Sequence, residues 1–294
     1  LTVTKIGGHL AAISDDDDDQ LNPLWQPSWE PEDASKIPYD GTSSLKHGWI
    51  MSKKFGGNSE APLLAGITGH NLCIDRFGGP HLRMVKQGTL MKEKPEWKPV
   101  HGEAGCLAWT LKNVTDDSIQ ISVDLPEARL TISRTFAMVG RNVHLTTNVL
   151  PTDGDDKEIE WAEHVTIGDP FMDGATITAP VDGAWMFPDA LEASRFPELA
   201  PLAAVNPTSA LAVPKSTDAP CGDVITTRLT DGWFEVKNHN RTLKYTWDPE
   251  VFPWLCLWTE NRSRKDLPWN GVERTRGLEF STKPFPKGEP PVER

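Results

Sequence analysis

The chain has 294 residues, 38% of them hydrophobic, enough to bury a sizeable core. A formal net charge of -12 argues against nucleic acid and against an anionic membrane surface as partners. No apolar run approaches the roughly 18 residues a membrane-crossing helix needs. Four cysteines, Cys73, Cys106, Cys221 and Cys256, lie far apart with no Cys-x-x-Cys pair, which reads as buried free thiols rather than a zinc site or a disulfide framework. The chain begins at Leu1 without Met, so the compartment is left open between cytoplasm and a secreted or periplasmic location. Twelve tryptophans stand against two tyrosines; most are read as core, although indole faces also stack on sugar rings.

In chain order, residues 1–13 alternate enough for a strand, and Asp15 to Asp19 is five like charges in a row, read as a solvated loop, with calcium binding the lesser reading because no glycine-spaced loop accompanies it. Residues 20–48, rich in Pro, Trp, Asp and Ser, predict a long irregular excursion carrying Trp25 and Trp29. From about residue 60, short apolar runs recur between turn signals: Ala61–Ile67, Cys106–Leu111, Ile119–Val123, Ala128–Phe136 and Val143–Val149. Period-two alternation is clear in 120–125 and 129–133, and no segment keeps a helical period for three turns. Strands at intervals of about 8–12 residues predict an all-β sandwich or barrel. Residues 188–220, rich in Pro and Ala, predict an extended loop, and no linker splits the chain, so one β domain over 1–294 is expected.

The last fifty residues hold an aromatic strand (Phe252, Trp254, Leu255, Leu257, Trp258), an exposed basic loop over 261–265, and Glu279 between Leu278 and Phe280. A carboxylate between large apolar residues leaves the core, pairs with an arginine such as Arg274 or Arg276, or is held for chemistry. Burial would raise its pKa towards neutrality, where a general base works best. Other polar residues stand inside strand-like stretches: His101-Gly102, Glu163-His164 and Asp231. Glu163 and His164 fall on opposite faces of any strand, so they are not themselves an acid–base pair, and His164 is the one expected to point inward.

The order of these residues resembles the aldose 1-epimerases (galactose mutarotases), and in motif order it is nearest to their hexose-6-phosphate epimerase branch. The resemblance runs over about 60–285 through Val100-His101-Gly102 to Trp109, then His164, Asp231 with Phe234, and Leu278-Glu279. Residues 68–78 are similar to that branch's Gly-Gly-x-Pro-x-Cys-Phe-Pro-x-Phe-Gly segment, with Thr68 for the first glycine and Asn71 and Asp75 for the two prolines. The resemblance implies a galactose-mutarotase-like β-supersandwich with a cleft across one sheet. It also implies interconversion of α and β anomers, Glu279 being the base at O1 and His164 the acid at O5. His101, Asp231, Arg76, His70, Trp109 and Trp258 are then expected to contact the sugar. No metal and no organic cofactor is implied, and the expected partner is a small sugar, the chain being a monomer or homodimer.

The phosphate branch's two arginine positions read Ile67 and Gly105 here, with Arg76 and Arg83 as partial replacements. That favours a free aldose over a sugar phosphate. Two other readings stay open: a sugar-binding β-sandwich without catalysis, and a glycoside hydrolase or lyase. A hydrolase would pair two of Glu163, Asp231, Glu260 and Glu279 at about 5–5.5 or 6.5–9.5 Å.

Overall fold

The computed structural model describes residues 1–14, 22–79, 98–187, 194–199, 202–238 and 240–284. Among these, the alternating runs become strands. The chain opens with β1 (Thr2–Val3) and β2 (Leu10–Ala12), then a small hairpin of β3 (Ser44–Lys46) and β4 (Trp49–Met51), helix α1 (Ala61–Leu64) and β5 (His70–Asp75). A meander follows: β6 (Thr110–Val114), β7 (Ser118–Leu125), β8 (Leu130–Val139) and β9 (Asn142–Pro151). The second half holds β10 (Glu160–Gly168), β11 (Thr176–Thr178), β12 (Val181–Met186), helix α2 (Pro207–Leu211) and β13 (Cys221–Leu229). It closes with β14 (Trp233–Asn238), β15 (Arg241–Thr246), β16 (Trp254–Asn261) and β17 (Arg274–Ser281).

An eight-stranded sheet runs in the order β1-β2-β5-β10-β17-β16-β13-β12, and β6 to β9 form a four-stranded sheet in sequence order. Alternation decides how they pack. In β8, Leu130, Ile132, Arg134 and Phe136 are buried while the residues between them are half-buried, so one face turns inward. That face meets the inner face of the large sheet, where Leu72, Val165, Leu255, Leu257 and Leu278 join the main apolar core. The fold is the all-β sandwich that the sequence predicts, two antiparallel sheets packed face to face.

The outer face of the large sheet is covered too. Trp25, Trp49, Phe55, Leu63, Leu64 and Trp269 form a second core, with Trp258 of β16 packed against it. The segment leading to Trp25 docks along the end of β10: Trp25 N donates to Thr166 O at 2.8 Å, and Gly168 N donates to Pro23 O at 3.2 Å. Trp25 stacks on Trp269 at 5.7 Å, and its Nε1 donates to Glu273 Oε2 at 2.8 Å. This double cover is why all eight residues of β17 are buried.

Several sequence expectations need correction. The 61–67 run is not a strand: Pro62 sits in the first turn of α1, a position where a missing N–H costs nothing, and Leu63 and Leu64 anchor the turn in the second core. The first thirteen residues are a hairpin rather than one strand, turned at Gly7 and Gly8, both at positive φ. The expected loop at 188–220 contains α2 in its described part, capped by Asn206, whose side chain accepts from Thr208 N and Ser209 N. Asp15–Asp19 and Arg83 lie outside the described residues.

Inside the sandwich, one polar cluster joins three strands. Glu163 Oε2 of β10 meets Arg134 Nη2 of β8 at 2.6 Å and His70 Nε2 of β5 at 2.7 Å. Glu163→Leu would leave the Arg134 charge buried and unpaired, and is expected to cost about 3–5 kcal/mol in chemical denaturation. A loss below ~1 kcal/mol, the range of a solvated pair, would show that the triad does not hold the sheets together.

Candidate active site

Partners in register on neighbouring antiparallel strands carry side chains on the same face. One such row crosses the outer face of the large sheet: Asn71 of β5 opposite His164 of β10, His164 opposite Glu279 of β17, and Glu279 opposite Cys256 of β16. His164 Nε2 and Glu279 Oε1 are 3.2 Å apart, with His164 4% and Glu279 1% exposed. The other ring nitrogen, Nδ1, is 3.0 Å from Thr166 Oγ1, one turn of the pleat along β10, which fixes the imidazole plane. The pair lies beneath the second core rather than in an open groove.

Gly277 makes the contact feasible. It is opposite both Thr166 and Trp258, and a Cβ placed on it would come within 2.5 Å of Glu279 Oε1 and 3.1 Å of Trp258 Cβ. Only glycine leaves the carboxylate room to lie across its own strand towards His164. Nothing in the local sequence pattern singles out this residue. The requirement is a cross-strand one.

Two aromatic rings frame the imidazole. His101, at φ 64 in the tight turn before Gly102, stands edge-on to His164 with ring centroids 5.1 Å apart, and its Nδ1 accepts from Gly78 N at 3.0 Å. Half-buried Trp258 is 6.0 Å from His164 on another side and 5.8 Å from Trp269. The Arg264 guanidinium covers both tryptophans, 5.7 and 4.8 Å from their centroids. The basic loop expected to be exposed is thus partly folded back. Glu260 holds it there, accepting from Ser263 N, Ser263 Oγ and Arg264 N.

The electrostatics follow from enclosure. Burial pushes the Glu279 carboxyl up from 4.5 to about 8, against weaker opposing effects of Cys256 and Arg276. Burial also pushes His164 well below the usual histidine range, helped by the neighbouring His101. His101 is itself lowered to about 4 by desolvation. Neither arginine considered as a partner reaches Glu279. Arg274 binds Asp169, Asp173 and the Pro214 carbonyl; Arg276 stands on the inner face, hydrogen-bonded to Thr259 and the Ala210 carbonyl.

Of the eight residues expected at the site, the structure brings together His164, Glu279, His101 and Trp258. Arg76 is buried immediately before Phe77, a ring 5.7 Å from His101, and its Nη1 has no hydrogen-bond partner. The other three are not brought there. His70 adjoins Asn71 on its strand, so it faces the opposite way and is bound to Glu163, with Tyr245 Oη 3.4 Å from its Nδ1. Trp109 lies in the main core, its Nε1 donating to Ala104 O at 2.9 Å. Asp231 sits exposed in the turn from β13 to β14, where its carboxylate accepts from Gly232 N at 2.7 Å. All four cysteines are free and buried. Among the described residues, no group of three His, Cys, Asp or Glu side chains is placed to hold a metal ion.

No protein-family model matches the chain, and no curated protein matches its sequence. Solved structures do match. A crystal structure of HI1317 aligns at a TM-score of 0.55 with 14% identity, over 95% of this chain and 80% of that one. The Slr1438 protein of Synechocystis sp. PCC 6803 aligns at 0.51 with 14% identity, over 75% and 70%. A protein of Escherichia coli K12 described as a candidate aldose 1-epimerase aligns at 0.50 with 14% identity, over 76% and 75%. At these identities the likeness is one of fold.

The raised Glu279 carboxyl predicts a specific pH dependence of stability. Its favourable contribution is full below the unfolded value of 4.5 and is lost as pH rises to about 8. Thermal melts of wild type and Glu279→Gln should therefore diverge between those two pH values, by on the order of a few kcal/mol in favour of the variant at the upper end. Parallel curves would mean that the carboxylate ionises freely in the folded protein.

Proposed function

We propose that the chain is a carbohydrate-active isomerase of the aldose 1-epimerase type, interconverting the α and β anomers of a free aldose. The observation that carries this reading is the His164–Glu279 contact: an imidazole and a carboxyl, 3.2 Å apart on paired strands, shielded from water. Two groups this close titrate as a unit, and between their two proton losses the unit holds one proton. Ring opening of a pyranose hemiacetal needs one proton taken from the O1 hydroxyl and one given to ring O5. Glu279 takes the first and His164 gives the second. The C1–O5 bond breaks, C1 becomes an aldehyde, and the pair ends as a neutral acid beside a neutral imidazole. The opening step starts from the form with the proton on His164, reached by passing the pair's one proton from Glu279 across the 3.2 Å contact; burial disfavours that form, so its cost is part of the barrier. Rotation about C1–C2 and reversal of both transfers give the other anomer.

Three further points support this chemistry over its neighbours. Glu163 is bound inside the sandwich, Asp231 is in an exposed turn and Glu260 is held by Ser263 and Arg264, so none of the other candidate carboxylates is free to partner Glu279. Among the described residues beside the site, the Arg264 guanidinium is already engaged by Glu60 and the two tryptophan rings, and the net charge is -12, which favours a free aldose over a sugar phosphate. The fold likeness to the E. coli candidate aldose 1-epimerase agrees with the same class. Because the pair is enclosed, turnover requires part of its cover to move aside.

Anomer exchange followed by saturation transfer between α and β NMR signals of free aldoses tests the reading. Wild type is expected to accelerate exchange, and Glu279→Gln and His164→Asn each to lower kcat by about 10²–10⁴-fold. The rate should fall above pH of about 8, as the pair loses its single proton. A folded wild type that accelerates exchange of no aldose would remove the isomerase assignment.

A further inference from the structure

A buried side-chain amide normally has its N–H2 and carbonyl oxygen paired, and leaving them unpaired costs free energy. Asn71 breaks that rule at one particular place. It is 2% exposed, and neither Oδ1 nor Nδ2 has a hydrogen-bond partner. It is the register partner of His164, which is the register partner of Glu279, so the three stand side by side on one face across adjacent strands. Glu279 Oε2, the oxygen not facing His164, is also buried without a directed hydrogen-bond partner. Three unpaired buried polar atoms, Asn71 Oδ1, Asn71 Nδ2 and Glu279 Oε2, therefore stand along this row, beside the proposed reacting pair.

An amide presents a donor and an acceptor about two ångströms apart, in one plane. Two neighbouring hydroxyl groups complement it, one donating to Oδ1 and the other accepting from Nδ2. The Gly-rich segment that residues 68–78 resemble has a proline at this position, a residue with no polar side chain. From these observations we infer that Asn71 is a specificity-determining contact, gripping two adjacent hydroxyls of the sugar whose anomeric centre meets Glu279 and His164. The inference rests on the proposed isomerase reading. A site built to hydrogen-bond particular hydroxyls discriminates against an epimer that misplaces one, because its own buried groups are then left unpaired.

The test uses D-glucose, D-galactose and D-mannose, with wild type, Asn71→Leu and Asn71→Ala, folding being verified by circular dichroism. Wild type should distinguish the three epimers in kcat/KM. Both variants should raise KM about tenfold or more for the preferred sugar and shrink the ratio among epimers by a similar factor. The alkaline limb of the pH–rate profile should stay where Glu279 puts it. Removing two unpaired polar atoms should leave the unliganded protein at least as heat-stable as wild type. An unchanged epimer ratio, a uniform fall for all three sugars, or failure of both variants to fold would overturn the inference and give Asn71 a structural role. If wild type exchanges none of the three, the isomerase reading falls, and saturation-transfer-difference binding of the same sugars decides. Contact with wild type that is lost in both variants upholds the role of Asn71 as a ligand contact; no contact, or equal contact in all three proteins, overturns it.

Discussion

The enclosure of an acid and a base on adjacent central strands is the constraint on which the rest of this structure depends. A strand such as β17 can be buried on both faces only if something covers the outer face of the large sheet, and here that is the second core built from Trp25 to Ile67 and Trp269. With that cover in place, ionising Glu279 means placing a charge in a medium that solvates it poorly, so the proton stays on the carboxyl to about pH 8 and the imidazole stays neutral. In solvent the carboxyl would be ionised at neutral pH, the imidazole mostly neutral, and the two would attract only weakly. The raised carboxyl and the lowered imidazole both follow from the tryptophan-rich segment that encloses them.

The same strand shows the opposite solution one residue away. Glu163 precedes His164, faces the sandwich interior, and is buried to a similar degree, yet its pKa is lowered rather than raised. The difference is Arg134, whose Nη2 lies 2.6 Å from Glu163 Oε2, the same oxygen that His70 Nε2 contacts, while Trp161 Nε1 donates to Oε1. A carboxylate with a buried cation is a structural joint, because it cannot give up its charge without stranding the cation. Glu279, beside a neutral imidazole and the neutral Cys256 thiol, can change its protonation state without stranding a paired cation. Burial alone therefore does not decide the direction of a carboxyl's shift; the presence or absence of a paired cation does.

This contrast explains which parts of the fold and site were legible in the sequence. Period-two alternation announced β7 and β8, and it also put Glu163 and His164 on opposite faces. The apolar flanks of Glu279 announced a carboxyl with a raised pKa. What local pattern cannot express is register. Whether His70 or Asn71 faces His164 depends on how β5 aligns with β10, and a slip of one residue exchanges them; the sequence reading favoured His70, and the register selects Asn71. Gly277 escaped for the same reason, since its importance lies in what stands on two neighbouring strands. Trp109 and Asp231 were placed by motif order alone, which carries no information about depth or facing. The helix at 61–64 reads as one more apolar run until the second core that it anchors is known.

Recognition in a site of this kind must come mainly from polar groups that are unpaired before the ligand arrives. The rings about it are neutral, His101 and Trp258 beside the imidazole and Trp269 behind them, with the Arg264 guanidinium over the two indoles. Aromatic faces hold a sugar ring without telling one epimer from another, because the C–H face they touch changes little when a hydroxyl inverts. Charged groups would bind more tightly, but a buried charge facing Glu279 would pull its pKa down and remove the proton inventory that the chemistry uses. A neutral amide escapes both difficulties. It can specify hydroxyl positions through directed hydrogen bonds, and it leaves the titration of the pair where burial has set it. Asn71 meets that requirement at the one position in the row that adjoins His164 from the side away from Glu279. The free energy given up by leaving its amide unpaired in the empty protein is recovered only when matching hydroxyls are in place, which makes the cost itself a source of selectivity.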